Sequence, residues 1–194
     1  AVAGNIIGLN ISGAPGGTDG RTYGNVLDGV GIRDVGGVVV GKKDQAGRAN
    51  VISGNLGRGV AVYWTSTTAA ASDHDTWIGY NFIGTNLDGT AATFGALSTG
   101  NLSDGVFIYG PAWVTVSTNL IAGNRAAGVH AFNQGGDFGG NIQILSNIIG
   151  ANRKAQAIPE ADDLGNGSDG VFLDRIQSSD PTGRQVQVAG NTID

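Results

Sequence analysis

The chain lacks cysteine and methionine and contains few charged residues. Its 194 residues include no Cys and no Met, and 14% of them are charged. Without cysteine there is no disulfide framework, no thiolate metal site and no cysteine nucleophile. The 11 Lys and Arg residues against 16 Asp and Glu give a net charge of −5, so no basic surplus is present to neutralise a phosphate backbone. We therefore expect no nucleic-acid partner.

Long hydrophobic runs and strong helix formers are also missing. Apolar runs such as residues 38–40 are much shorter than the roughly 20 residues that a membrane-spanning helix needs, so we expect no membrane span. The chain has one Glu and three Lys, which predicts little α-helix. Glycine is abundant, with 35 residues, but the glycines keep no period of three, which excludes collagen.

Two short phrases recur along the chain, and such self-similarity is typical of repeat architectures. The first phrase is Gly-Asn, three variable residues and Gly-Val, and it reads GNVLDGV from Gly24, GNLGRGV from Gly54, GNLSDGV from Gly100, GNRAAGV from Gly123 and GNGSDGV from Gly165. The second phrase is Asn, an apolar residue and Ile, and it begins at Asn5, Asn50, Asn81, Asn119 and Asn147, with a truncated copy at Asn191. The chain therefore contains five repeat units and the start of a sixth.

The residues around these phrases alternate as β-strands do. After each Gly-Val, apolar residues recur at every second position, as in Val60-Ala61-Val62. Short strands with the same corner residues favour a solenoid in which equivalent strands stack in parallel about 4.8 Å apart, whereas a β-sandwich would need antiparallel hairpins. We predict an all-β parallel β-helix of five to six coils, forming a single domain over residues 1–194. The asparagines that open the second phrase are predicted to form a structural ladder of stacked amides: Asn5, Asn50, Asn81, Asn119, Asn147 and Asn191.

The phrases NVISGNLGRGV, NFIGTNLDGT and GNLSDGVFI resemble the repeats of bacterial right-handed parallel β-helix proteins, which have the pectate-lyase-like architecture. The similarity is greatest to repeats of large secreted or surface proteins, and it covers nearly the whole chain. It implies a right-handed coil and an extracellular or cell-surface location. It implies no single function, because the architecture serves polysaccharide lyases, hydrolases, epimerases, phage spikes and non-enzymatic adhesins.

Aligning the coils by their phrases places the residue before each Gly-Val in one outward column. The simplest interpretation is a set of turn dipeptides with weak mutual attraction. The alternatives are a lyase-type site, in which Asp28 and Asp104 flank Arg58, or a Ca²⁺ site, so these three residues are catalytic candidates. The column contains Asp28, Arg58, Asp104, Ala127 and Asp169.

Two further outward columns are rich in aromatic residues. A flat aromatic patch marks a contact surface, which a sugar ring or another protein could occupy, unless a segment such as residues 63–75 with Trp64 covers it. His130 is interpreted as a member of this aromatic series and not as a base, because no partner for it is identifiable in the sequence. The candidate binding residues are Tyr63, Phe107, Tyr109, His130, Phe132 and Phe172.

Three insertions, at residues 11–23, 87–99 and 153–164, leave the same corner on alternate coils and are therefore expected to group on one side. The last contains the acidic residues Glu160, Asp162 and Asp163. These are the candidates for Ca²⁺, although a solvated loop is the simpler interpretation, and no other cofactor is expected.

A short acidic and imidazole run at residues 73–75 loosely resembles the Asp-Pro-His-Asp signature of alginate epimerases. Ser72 departs from that signature, and the interpretation that we prefer is a loop cap before the next strand. The residues concerned remain further catalytic candidates: Asp73, His74 and Asp75.

The sequence leaves the ends and the function open. The chain starts in register at Ala1 and stops within a phrase at Asp194, so either it is a segment of a longer solenoid or its copies stack head to tail as a filament subunit. We expect an extracellular, non-catalytic structural or adhesin-like module that contacts a polysaccharide or a cell-surface protein. The rival is a polysaccharide lyase, hydrolase or epimerase, which the scarcity of Lys, Glu and His disfavours.

Overall fold

The computed structural model describes residues 1–16, 22–42, 50–65, 75–94, 97–134, 140–151, 164–176 and 186–194. Within these ranges the chain forms eighteen β-strands and no helix. Sixteen of the strands belong to three parallel sheets, which we number I, II and III in the order in which the chain visits them. The predicted all-β architecture of stacked parallel strands is confirmed, and it is consistent with a parallel β-helix. No helix in these ranges is long and apolar enough to cross a membrane.

Each sheet collects one equivalent strand from successive coils. Sheet I contains the second phrase as β1 (Ile6–Ile7), β4 (Val51–Ile52), β7 (Phe82–Ile83), β12 (Leu120–Ile121), β15 (Ile148–Ile149) and β18 (Thr192–Ile193). Sheet II follows each Gly-Val as β2 (Val30–Arg33), β5 (Val60–Tyr63), β10 (Val106–Tyr109), β13 (Val129–Phe132) and β16 (Val171–Asp174). Sheet III is formed by β3 (Val39–Gly41), β6 (Asp75–Gly79), β11 (Trp113–Ser117), β14 (Asn141–Leu145) and β17 (Val186–Ala189).

The inward side chains of all three sheets form one hydrophobic core. Parallel registers place like residues over one another, as where Ile83 pairs with Ile52 and Ile121. β-Branched side chains pack well on such pleated surfaces, and each buried one contributes roughly 1.5–3 kcal/mol to stability. The residues with no exposed surface include Ile52, Ile83, Ile121, Val60, Ile108, Val129, Ile78, Val116 and Ile144.

The turn from sheet III to sheet I ends in the asparagine of the second phrase. It is two residues long after β6, β11, β14 and β17, and the connection from β3 to β4 is longer. The residue before this asparagine has a left-handed backbone in every described case, with φ between 55° and 72°. Gly, Ser or Thr occupies this position in four coils and a tyrosine in the fifth. The residues are Gly4, Tyr80, Thr118, Ser146 and Gly190.

The six asparagines of the second phrase hydrogen-bond in sequence from coil to coil. Each Nδ2 donates to the Oδ1 of the next asparagine at 2.8 to 3.0 Å. The same Oδ1 also accepts the backbone N–H of the preceding asparagine, as at Asn81 and Asn119. The four inner asparagines are at most 2% exposed, so these bonds satisfy amides that would otherwise be buried without partners. The series runs Asn5, Asn50, Asn81, Asn119, Asn147 and Asn191.

The described parts of the insertions lie at the corner between sheets I and II. The second insertion includes the antiparallel hairpin of β8 (Thr93–Phe94) and β9 (Leu97–Ser98). A Cβ placed on Gly13 in the first insertion would lie 2.9 Å from Leu87 in the second. Ala92 and Leu164, from the second and third insertions, pack with Ala122 in a small separate cluster. The described parts of the insertions therefore lie together on one side of the molecule.

We expect Asn119→Ala to lower the free energy of unfolding by at least about 2 kcal/mol, because each buried donor left unpaired costs about 1–3 kcal/mol. The substitution removes the acceptor of the Asn81 backbone N–H and one of the three acceptors of the Asn81 Nδ2 group. It also removes the amide that donates to Asn147 Oδ1. Denaturant unfolding of wild type and variant measures the difference.

Asn5→Ala is the matched control, because Asn5 is exposed at the edge of the series and its backbone N–H can still donate to Asn50. We expect it to cost much less than Asn119→Ala. Equal losses for the two variants would contradict the role given to the buried amides.

Candidate functional site

The outer face of sheet II carries the two aromatic columns in register. Phe107 pairs with Ala61 and His130, and His130 pairs with Phe172. In the second column Tyr109 lies between Tyr63 and Phe132. Neighbouring ring centroids are 4.7 to 6.4 Å apart, which is the range of favourable aromatic pairs. We call these six residues the aromatic face: Tyr63, Phe107, Tyr109, His130, Phe132 and Phe172.

Exposure along the aromatic face is uneven. Phe107 is only 6% exposed, whereas Phe172 is 41% exposed. The Arg58 guanidinium lies 4.0 Å from the Phe107 ring centroid and so covers it. Trp64, which directly follows β5, is also buried. The part of this face that a ligand can reach consists of the half-buried rings around Tyr109 and the exposed ring of Phe172.

A polar network lies beside the aromatic face, at the corner that precedes sheet II. Arg58 Nη1 donates a hydrogen bond to the Tyr63 hydroxyl at 3.0 Å, and that hydroxyl donates to Asp28 Oδ2 at 3.2 Å. Arg58 Nη1 is also 3.9 Å from Asp28 Oδ1. These contacts join residues of two coils, so the network connects the coils as well as orienting the arginine.

His130 has an acidic neighbour that the sequence did not indicate. Its Nδ1 lies 3.5 Å from Asp104 Oδ2, and Arg58 Nε lies 3.6 Å from the same oxygen. No partner for His130 was identifiable in the sequence, and the structure places this carboxylate beside its ring. The two residues are 26 positions apart in sequence, and the stacking of one coil on the next brings them together.

Asp28 and Asp104, two of the three carboxylates of this column, have the same structural role. Asp28 Oδ1 accepts the backbone N–H of Arg58 at 3.0 Å, and Asp104 Oδ1 accepts that of Ala127 at 3.1 Å. In both cases the donor is the equivalent residue of the following coil. The Asp104 side chain is 7% exposed and is therefore poorly placed to contact a ligand. The column is thus more than a set of turn dipeptides, since two of its three carboxylates accept a backbone N–H of the next coil.

The remaining candidates are separated from this cluster or lie outside the described residues. Asp75 is exposed at the start of β6, where it pairs with Trp113 in sheet III. Within the described ranges, no group of three acidic or histidine side chains is placed to hold a metal ion. The candidates outside the described residues are Asp73, His74, Glu160, Asp162 and Asp163.

A second asparagine series was missed in the sequence, although its residues stand in the first phrase. In each case Nδ2 donates to the Oδ1 of the next member at 2.8 to 3.1 Å. This series holds the corner between sheets I and II, next to the polar network. The constant Asn after Gly in the phrase was the signal that could have revealed it. The members are Asn25, Asn55, Asn101, Asn124 and Asn166.

The Tyr63 phenol is half-buried within this polar network. Burial raises the pKa of its phenol above the ordinary value of 10.0, and the contact with Asp28 adds to this effect against the opposing charge of Arg58. The phenolate is therefore more favourable in the unfolded chain than in the folded one. It follows that Tyr63 contributes stability at neutral pH that is lost as the pH rises through the pKa of the folded state.

We expect stability to fall above about pH 10, and Tyr63→Phe to remove part of that fall. Denaturant midpoints measured across this pH range would show a shallower slope for the variant. Tyr23→Phe is the control for the loss of a tyrosine hydroxyl, because Tyr23 is exposed and lies outside this polar network. Identical slopes for wild type and Tyr63→Phe would contradict the assignment.

Comparison with known proteins adds no family to this description. No protein-family model matches the chain. No curated protein and no solved structure matches it at a significant level. The function is therefore argued from the sequence and the geometry of the chain itself.

Proposed function

We propose that this chain is a right-handed parallel β-helix whose three sheets close around their shared core. We propose further that it is a rigid, non-catalytic extracellular module, of a structural or adhesin-like kind, which binds glycan through the aromatic face of sheet II. The single core formed by all three sheets supports closure. The similarity of the repeats to those of secreted and surface β-helix proteins supports the handedness and the location.

The observation that carries the binding proposal is the unbroken contact between aromatic rings over four coils. Tyr63, Tyr109 and Phe132 form one line, and His130 stacks with Phe172 at 4.7 Å beside it. Parallel strands separated by about 4.8 Å give such a line a regular spacing along the axis. The aliphatic faces of sugar rings pack against aromatic rings, so a repeating glycan fits a repeating aromatic line.

The polar groups near this face support binding in preference to catalysis. Asp28 and Asp104 each accept a backbone N–H from the next coil. Arg58 and Tyr63 are engaged with each other and with Asp28. A general acid or base must reach the proton that it transfers, and the burial of Asp104 keeps its carboxylate from that position.

We expect Phe172→Ala and Tyr109→Ala each to weaken glycan binding about tenfold, which corresponds to about 1.4 kcal/mol. A glycan array identifies a ligand, and calorimetric titration with that oligosaccharide measures its affinity for each variant. The products of long incubation, separated by chromatography, should show no cleavage or epimerisation.

Leu102→Ala is the control for this experiment, because Leu102 is exposed at the corner and lies off the aromatic face. Its affinity should equal that of wild type. If the wild-type chain binds no glycan on the array, the glycan-binding proposal is refuted. The same face would then be tested against cell-surface proteins.

A polysaccharide-modifying enzyme is the second candidate, and a specific observation favours it. Arg58 lies between two carboxylates, and Asp104 also contacts the imidazole of His130. If the chain turns over a polysaccharide at this cluster, Arg58→Ala should abolish product formation. Asp104→Asn should do the same, although the amide oxygen can still accept the N–H of Ala127 and so preserve the fold. Turnover that depends on these residues would replace the binding module as the conclusion.

A further inference from the structure

The outer face of sheet III carries a second aromatic surface, away from the aromatic face of sheet II. Trp77 points outward from β6, since its neighbours Thr76 and Ile78 are buried on the inner side. Tyr80 follows in the adjoining turn, and the two ring centroids are 5.9 Å apart. Both side chains are half-buried. We call this pair the sheet III platform.

Gly79 determines how Trp77 lies on the sheet. A Cβ on Gly79 would be 2.2 Å from Cζ2 of the Trp77 indole and 2.3 Å from its Cη2. The far edge of the indole therefore occupies the space that a side chain at position 79 would fill. The ring can rest along the sheet surface because Gly79 has no side chain.

Tyr80 is unusual among the residues of its turn. It has a left-handed backbone with φ of 56°, while the equivalent positions of the other described coils hold Gly, Ser or Thr. A large aromatic residue is uncommon in this conformation. Ser146 occupies the same turn two coils later with φ of 55°, so the turn itself does not require an aromatic ring. The ring of Tyr80 instead extends the surface formed by Trp77.

The residues that continue the row of Trp77 along the axis are polar and uncharged. Thr115, Gln143 and Gln187 follow Trp77 in register on successive strands. Their hydroxyl and amide groups both donate and accept hydrogen bonds. Among the outward positions of the described sheet III strands, Asp75 is the one charged residue. The row therefore presents an aromatic surface followed by neutral hydrogen-bonding groups, with one strand about every 4.8 Å.

From this arrangement we propose that the outer face of sheet III is a binding site for a neutral glycan. One sugar ring stacks on the platform of Trp77 and Tyr80, and the following sugars hydrogen-bond to Thr115, Gln143 and Gln187. The strand separation is close to the length of one sugar in an extended chain, so the glycan lies along the axis. The absence of basic side chains at the described outward positions of this sheet disfavours polyuronates and sulfated glycans, which would need cationic partners.

The test uses soluble neutral hexasaccharides of glucose, xylose and mannose as probes, added to the whole chain. Binding is followed by tryptophan fluorescence and measured by calorimetric titration. We expect Trp77→Gln and Tyr80→Ser each to weaken binding of the preferred probe about tenfold, equal to about 1.4 kcal/mol. Each variant carries a residue that an equivalent position already holds, Gln143 and Ser146. Circular dichroism and thermal melting verify that both variants fold.

Phe172→Ala separates this site from the one proposed on sheet II. If the sheet III platform binds the probe, Trp77→Gln should lower the affinity of that probe more than Phe172→Ala does. Leu102→Ala, at an exposed corner residue outside both faces, should leave it unchanged. Affinity that is lost in Phe172→Ala but retained in Trp77→Gln overturns the sheet III proposal and leaves the sheet II proposal standing. Failure of every neutral hexasaccharide to bind folded wild type also overturns it. Equal binding of a hexagalacturonate and the neutral probes would contradict the neutral specificity.

Discussion

Stacked asparagine amides at two corners fix the register on which the rest of this structure depends. One series holds the turn from sheet III to sheet I, and the other holds the corner between sheets I and II. An amide is suited to this position because it both donates and accepts, so one residue type can repeat without leaving an unpaired group. A shift of one residue between coils would break both series and bury polar groups without partners.

This register makes each outer surface a product of several coils. Phe107, His130 and Phe172 are separated by more than twenty residues from one to the next, and they form one surface because their strands pair in order. A single coil contributes at most three side chains to the outer face of any described sheet strand. The side chains of each outer surface therefore come from successive coils along the axis, and no single segment of the sequence supplies them all.

Two carboxylates beside sheet II connect one coil to the next. Asp28 and Asp104 resemble elements of an active site when they are considered with Arg58 and His130, yet each binds a backbone N–H of the next coil. Burial of Asp104 and the cover that Arg58 provides for Phe107 follow from the same close stacking. The accessible rings of the aromatic face and the row that follows Trp77 are aromatic or neutral, and both are proposed as binding sites.

The sequence by itself determined the strands, their parallel stacking, the asparagine series of the second phrase and the outward columns. It could do so because a period of two and a repeated corner phrase specify which side chains face inward. Only the tertiary structure decided that Asp104 meets His130, that Arg58 covers Phe107, and that Gly79 makes room for the indole of Trp77. The alternation of residues along a strand specifies only whether a side chain points inward or outward. The contacts and the exposure of that side chain depend on the residues of the neighbouring coils.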